Sequence, residues 1–96
     1  MRVYNEAPTA LGSGTKTTTT TDGEPLIPAT DAAEENAFHV TLQPGGAYAV
    51  NVGYAADHVE FVIHQGCSLQ LVVNQLSKIF IKTAESGQAV NYIWYK

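Results

Sequence analysis

From Phe38 onward, hydrophobic and polar residues alternate with a period of two, which is typical of half-buried β-strands. In the first such segment Phe38, Val40 and Leu42 lie on one face, with polar residues between them. The same alternation predicts five further strands, over residues 47–52, 59–63, 69–73, 79–81 and 90–95. Turn residues separate these segments, and no window has the 3.6-residue period of a helix. The sequence therefore predicts an all-β fold, a small antiparallel β-sandwich or barrel of about six to eight short strands.

The first 36 residues lack this alternation. They contain five large apolar side chains against twenty-four in residues 37–96, and they carry the whole formal net charge of −4. Three prolines exclude long regular structure, and Gly12-Ser13-Gly14 is typical of a flexible link. We therefore divide the chain into an extended, acidic, threonine-rich N-terminal arm (residues 1–36) and a β-sandwich domain (residues 37–96).

The arm contains a run of five threonines. Threonine has high β-propensity but little hydrophobicity, which suits an extended strand laid on the edge of another sheet. A segment with so few apolar groups does not offset its own ordering entropy, so we expect it to be held by the sandwich domain or by neighbouring chains. The alternative is a solvated linker, and Asp31-Ala32-Ala33-Glu34 fits a capping box that predicts one helical turn. The residues predicted to bind a partner are Thr17, Thr18, Thr19, Thr20, Thr21, Leu26 and Ile27.

Composition excludes several classes of protein. Five basic residues against nine acidic ones do not form the basic face that general binding to nucleic acid requires. A single cysteine, Cys67, excludes an intrachain disulfide framework. No apolar run approaches the roughly 20 residues that span a bilayer, and residues 1–6 lack the hydrophobic core of a cleaved leader. We expect neither nucleic acid nor a membrane as a partner.

Candidate reactive groups are few. His58, Glu60 and His64 lie on one face of the third predicted strand, but His64 is too far along it to share a metal with the other two unless the strand bends. Cys67 follows His64 closely, yet no third group that would orient a catalytic base is apparent. Polar surface residues and a small buried cysteine are the simpler interpretations. We therefore predict that the protein is not an enzyme and binds no metal or cofactor.

Aromatic residues allow two interpretations. Tyr92 and Trp94 share a face of the last predicted strand and fit a core or an interface, because a small sandwich needs its tryptophan inside. Tyrosines and tryptophan also form the platforms on which sugars stack. The residues singled out as interface or ligand aromatics are Tyr54, Trp94 and Tyr95.

The predicted sandwich is small for an independent domain. A domain of about 60 residues buries only about 60% of its unfolded surface and is marginally stable without a staple. Several predicted strands have apolar residues on both faces, including Val62, Phe80, Ile93 and Tyr95, and residues 37–96 have no formal net charge. These features favour a homo-oligomer, with a trimer as one arrangement, or docking on another protein.

Four segments carry a resemblance to a known group of proteins. They are Leu42-Gln43-Pro44-Gly45-Gly46, Val50-Asn51-Val52-Gly53, Asp57-His58-Val59-Glu60-Phe61-Val62-Ile63 and Lys78-Ile79-Phe80-Ile81-Lys82-Thr83-Ala84-Glu85-Ser86-Gly87. Over residues 38–95 the chain resembles small β-sandwich virion proteins of tailed bacteriophages, which include capsid decoration proteins and head or tail accessory proteins. The resemblance implies a structural role, the major capsid protein or another virion protein as partner, and no catalytic residues.

Three functional hypotheses follow. The first is a decoration or cement protein that stabilises a phage capsid through its arm and an oligomeric sandwich, located in the virion after assembly in the host cytoplasm. The second is a carbohydrate- or receptor-binding module of a phage tail or fibre, which would expose its aromatic residues in a shallow groove. The third is a small metal-dependent enzyme that uses His58 and Glu60.

Overall fold

The computed structural model describes residues 11–27 and 39–95. Within these residues the chain forms eight β-strands and one 3-10 turn at Leu76–Lys78. The strands are β1 (Leu11–Thr17), β2 (Glu24–Pro25), β3 (His39–Pro44), β4 (Val50–Gly53), β5 (Phe61–Ile63), β6 (Leu69–Val72), β7 (Phe80–Thr83) and β8 (Ala89–Tyr95). The predicted all-β sandwich is confirmed.

The strands form two four-stranded antiparallel sheets. Sheet A has the order β1-β8-β3-β6, and sheet B has the order β2-β7-β4-β5. Four pairings are nested within one another along the sequence: β1 with β8, β2 with β7, β3 with β6 and β4 with β5. The chain is thus arranged like one long β-hairpin whose successive strand pairs alternate between the two sheets. In addition β8 pairs with β3, and β7 pairs with β4. This is the strand order of a jelly roll.

The hydrophobic core lies between the two sheets. Alternate residues of the strands point inward, as the period of two in the sequence predicts. Among the described residues, eleven apolar side chains are buried there: Leu26, Ile27, Val40, Leu42, Val50, Val52, Ile63, Leu76, Ile79, Ile81 and Val90. Tyr92 and Trp94 of β8 also face inward and pack against this core while remaining partly exposed.

The structure differs from the predicted division into arm and domain. Residues 11–27 belong to the sandwich, because β1 pairs with β8 along its whole length and β2 pairs with β7. Leu26 and Ile27 are only 1% and 4% exposed, so the few large apolar side chains of this segment complete the core of the same chain. The predicted boundary at residue 36 and the predicted helical turn lie outside the described residues.

Two glycines explain why β1 is a strand rather than a flexible link. Gly12 lies opposite Trp94 and Gly14 lies opposite Tyr92, all on the inner face of sheet A. A Cβ atom on Gly12 would lie 2.7 Å from the Trp94 ring, and one on Gly14 would lie 2.7 Å from the Tyr92 hydroxyl. The aromatic rings thus fill the space that the glycines leave, a cross-strand pairing that offsets the low β-propensity of glycine.

None of the described segments is a helix of the length and apolar character that crossing a bilayer requires.

The substitution Gly12→Val tests this packing. The new side chain would collide with Trp94, so we expect the free energy of unfolding to fall by about 1–3 kcal/mol. Ser13→Val is the matched control, since Ser13 is exposed on the outer face of the same strand, and we expect a change of no more than about 0.5 kcal/mol. Urea denaturation measures both. Equal stability of the two variants would contradict the close approach of Gly12 to Trp94.

Candidate functional site

The outer face of sheet A is a regular surface formed by four strands. Its side chains lie opposite one another across the four strands, in rows fixed by the strand register. The outward residues described there are Ser13, Thr15 and Thr17 of β1, Ala89, Asn91, Ile93 and Tyr95 of β8, His39, Thr41 and Gln43 of β3, and Gln70 and Val72 of β6.

Contacts within this face order its side chains. The rings of His39 and Tyr95 are stacked, with centroids 4.8 Å apart and an interplanar angle of 14°. The Thr15 hydroxyl donates a hydrogen bond of 2.8 Å to Oδ1 of Asn91. Ile93 lies between these pairs and is 45% exposed, beside a shallow depression of about 140 Å³. The apolar Ile93 side chain therefore projects next to the shallow depression, and hydrogen-bonding groups surround both.

No outward residue named above for sheet A is Lys, Arg, Asp or Glu. The charged residues that the structure describes lie between the sheets, in loops or on sheet B: Lys16, Asp22, Glu24, Asp57, Glu60, Lys78, Lys82 and Glu85. Charged residues are depleted at the centres of protein interfaces and are common on solvated surfaces. The outer face of sheet A shares this depletion of charged residues among the residues that the structure describes.

An ion pair closes the side of the sandwich that is formed by the edge strands β1 and β2. Lys16 of β1 and Glu24 of β2 both point inward, and the Lys16 Nζ lies 3.1 Å from Oε1 of Glu24. The Glu24 carboxylate also accepts hydrogen bonds from the backbone N–H groups of Thr19 and Thr20, at 3.0 and 3.2 Å, and from the Thr19 hydroxyl at 3.1 Å. Burial alone would raise the pKa of Glu24, but the hydrogen bonds from Lys16 and Thr19, with the Lys16 charge, lower it below its ordinary value.

A buried threonine pair lies next to this ion pair. Thr18 and Thr83 are almost fully buried, and their hydroxyl oxygens are 3.0 Å apart. The backbone N–H of Gln88 donates to the Thr18 hydroxyl oxygen at 3.0 Å, and the Thr83 hydroxyl donates to the carbonyl of Glu85 at 2.7 Å. The backbone of Thr18 forms two more hydrogen bonds, one with Gln88 and one with Gly87. These contacts fasten the β1–β2 connection to the β7–β8 connection.

The residues predicted to bind a partner occupy different environments. Thr18, Leu26 and Ile27 are buried within the chain itself, and Thr19 and Thr20 hold the Glu24 carboxylate. Thr17 and Thr21 are exposed, the first at the end of β1 and the second in the turn that follows. Thr18, Leu26 and Ile27 are therefore buried inside the sandwich, whereas Thr17 and Thr21 are accessible at its surface.

The opposite side of the sandwich, between β5 and β6, is open. Phe61 lies opposite Val52 in the register and so faces inward, yet it is 72% exposed. An apolar cleft of about 200 Å³ lies beside it. The cleft is lined by Val52, Gly53, Tyr54, Phe61, Leu69, Leu71, Val73, Lys78 and Ile79.

The three predicted ligand aromatics are not brought together. Tyr54 is exposed at the cleft and stacks on His58, with ring centroids 5.2 Å apart. Trp94 faces inward from β8 and packs against the core, as the interpretation as a core residue predicts. Tyr95 lies on the outer face of sheet A. A single sugar platform that uses all three does not form.

The candidate reactive groups are at the surface. His58 Nδ1 lies 3.3 Å from Oε2 of Glu60, and both side chains are exposed. The backbone N–H of Cys67 donates to the carbonyl of His64, which places both residues in an exposed turn. Within residues 11–27 and 39–95 there is no group of three or more His, Cys, Asp or Glu side chains that could hold a metal ion.

The sequence-based interpretation did not identify the uncharged face. The sequence does, however, contain a sign of the uncharged face. Two sets of alternate positions carry no formal charge: His39, Thr41 and Gln43, and Asn91, Ile93 and Tyr95. The contribution of β1 to the face required knowing that the first strand pairs with the last.

Comparison of the chain with protein-family profiles, with curated protein sequences and with solved structures found no match.

The ion pair predicts a pH dependence of stability. Because the folded state lowers the pKa of Glu24, its stabilising contribution is complete above the pKa of the unfolded chain and is lost as the pH falls through the lower folded value. We expect Glu24→Gln to be less stable than the wild type at pH 7, and the difference to shrink as the pH falls below the ordinary glutamate pKa of about 4.3. Asp22→Asn, at an exposed carboxylate, is the control. Thermal unfolding at several pH values measures this, and a difference that does not change with pH would contradict it.

The threonine run provides a second test of stability. Thr18→Val leaves the Gln88 N–H without its acceptor in a buried site, so we expect the free energy of unfolding to fall by about 1–3 kcal/mol. Thr17→Val, at the exposed neighbouring position, should change it by no more than about 0.5 kcal/mol. Similar stability of the two variants, measured by urea denaturation, would show that the buried network does not stabilise the fold.

Proposed function

We propose that the protein is a structural component of a phage virion, a decoration or cement protein that docks on the major capsid protein or another virion protein. The observation that carries the proposal is the outer face of sheet A, which is wide, regular, free of Lys, Arg, Asp and Glu among its described residues, and apolar at Ile93 and Tyr95. Burying such a face against a complementary protein does not require the desolvation of a formally charged group, and it removes the exposed apolar surface of Ile93 and Tyr95 from water.

The segments that resemble phage virion proteins support the same role. Leu42, Gln43 and Pro44 end β3, and residues 80–83 form β7 in the middle of sheet B. These segments build the sandwich rather than a reactive centre. The proposal therefore assigns the protein to binding and stabilisation and gives no residue a catalytic role.

The same face suits a homo-oligomer. The chain has a formal net charge of −4, so two copies repel each other at long range. Contact through a surface without fixed charges avoids adding like-charge pairs at short range. We propose that copies of the protein associate around this face on the particle, with a trimer as one arrangement.

A carbohydrate- or receptor-binding module of a tail or fibre is the second candidate. The observation that favours it is the exposure of Tyr54 and Phe61, each 72%, at the apolar cleft. Binding of a carbohydrate or receptor would depend on these two side chains, and substitutions on the outer face of sheet A would not change it.

Binding to particles tests the first candidate. We expect the protein to be present at a fixed copy number in purified particles of the phage that encodes it, and to rebind to particles that lack it. Ile93→Lys places a charge at the centre of the face, so we expect affinity to fall by about tenfold or more. Ala84→Lys, at an exposed position after β7, is the control and should bind as the wild type does.

Two outcomes would contradict the proposal. One is the absence of the chain from purified particles, measured by mass spectrometry. The other is equal rebinding of the Ile93→Lys and Ala84→Lys proteins. Loss of binding to host cells or glycans on Tyr54→Ala, with no effect of Ile93→Lys, would favour the second candidate instead.

A further inference from the structure

The two sides at which the sheets end are the β1–β2 side and the β5–β6 side. They are protected to different degrees from pairing with a strand of another chain. Sheet edges expose unpaired backbone groups, and proteins commonly protect them with proline or with charged side chains that point inward. On the side formed by β1 and β2, Lys16 and Glu24 point inward and form an ion pair, and Pro25 lies in β2. That side therefore has the devices that prevent pairing with another chain.

The side formed by β5 and β6 has none of these devices. β5 has the sequence Phe-Val-Ile and β6 has the sequence Leu-Gln-Leu-Val, with no charged residue or proline. Each strand is at the end of its sheet and pairs with one neighbour only among the described strands. Val62 and Val72 are also exposed here. An uncharged apolar edge of this kind favours the addition of another strand.

The core is uncovered along the same side. Phe61 faces inward by register but is largely exposed. Leu69 and Leu71 of β6, and Val73 just after β6, pack against the core while remaining partly exposed. The apolar cleft of about 200 Å³ lies between them. The cleft is thus a continuation of the core that no described residue fills.

The spacing of the cleft residues matches a β-strand. Leu69, Leu71 and Val73 follow one another at every second position, about 6.6 Å apart along an extended chain. A strand added beside β6 would present alternate side chains to the cleft with the same repeat.

A positive charge lies at the cleft. Lys78 contributes to its lining and forms no ion pair with any described residue. No other residue that lines the cleft is charged. A partner segment with a carboxylate beside its apolar residues would therefore be complementary in charge as well as in hydrophobicity.

We propose that the β5–β6 side is a docking site for an extended segment of a partner protein. The segment adds to the free edge of β6 as a fifth strand of sheet A, inserts alternate apolar side chains into the cleft, and places a carboxylate near Lys78. The site goes beyond the proposed function: it is separate from the outer face of sheet A, and it names the chemistry of a second partner segment, which is apolar at every second residue and acidic.

A synthetic peptide tests this site without any virus particle. The probe is a short peptide in which valine alternates with threonine, with an aspartate at each end. Its controls have the same composition with the valines grouped, or lysine in place of aspartate. We expect the alternating acidic peptide to bind the full chain at least about tenfold more tightly than either control, measured by isothermal titration calorimetry. It should also slow the exchange of the β6 amide hydrogens.

Variants separate this site from the outer face. Phe61→Asp replaces an exposed side chain, so the protein should fold, and we expect it to bind the acidic peptide at least about tenfold more weakly. Lys78→Glu should reverse the preference, so that the peptide with terminal lysines binds better. Ile93→Lys should bind the peptide as the wild type does, whatever it does to binding of particles.

Three results would overturn the proposal. The first is no preference for the alternating peptide over the grouped one. The second is binding that Phe61→Asp and Lys78→Glu do not change. The third is a wild-type oligomer, measured by light scattering, that Phe61→Asp converts to a monomer, because the occupant would then be a second copy of this chain.

Discussion

The pairing of β1 with β8 is the contact on which the rest of the sandwich depends. It joins the beginning and the end of the described chain and makes β8 an inner strand of sheet A. It brings Lys16 to Glu24, and it brings Thr18 to Thr83 and Gln88. The closed side of the molecule thus depends on this pair together with the pairing of β2 with β7. Without β1, the aromatic side chains on the inner face of β8 would lose the strand that covers them.

The β1–β2 side of the sandwich is closed by polar contacts and the β5–β6 side is not, so the two sides of the molecule differ. The ion pair and the threonine network occupy the β1–β2 side, where inward polar groups replace apolar contacts between the sheets. On the β5–β6 side the inward groups remain apolar, and nothing among the described residues covers them. The outer face of sheet A has no charged residue among those described, and Lys78 is the one charged residue that lines the cleft on the β5–β6 side.

Much of the fold could be predicted from the sequence, because six strands carry their own alternation of apolar and polar residues. Three features do not follow from this alternation. β1 has no apolar alternation of its own, since its inward positions are two glycines and a lysine, and their partners Trp94, Tyr92 and Val90 are distant in sequence. Thr18 belongs to a run in which nothing distinguishes it from its exposed neighbours, and its burial follows from the register. Phe61 shares the inner face with Ile63, as the alternation over residues 59–63 predicts, yet it is 72% exposed, which the alternation does not indicate.

The nested pairing also has a consequence for the order of events during synthesis. Leu11 pairs with Tyr95 and Thr17 with Ala89, so the first described strand leaves the ribosome long before its partner exists. Contacts so distant in sequence close late and slow the folding of a small domain. By contrast, β4 and β5 are near neighbours in sequence and can pair early. The nascent chain would thus present its apolar β5–β6 side before the ion-paired side has formed, which gives a partner that binds there access to the protein while it is still folding.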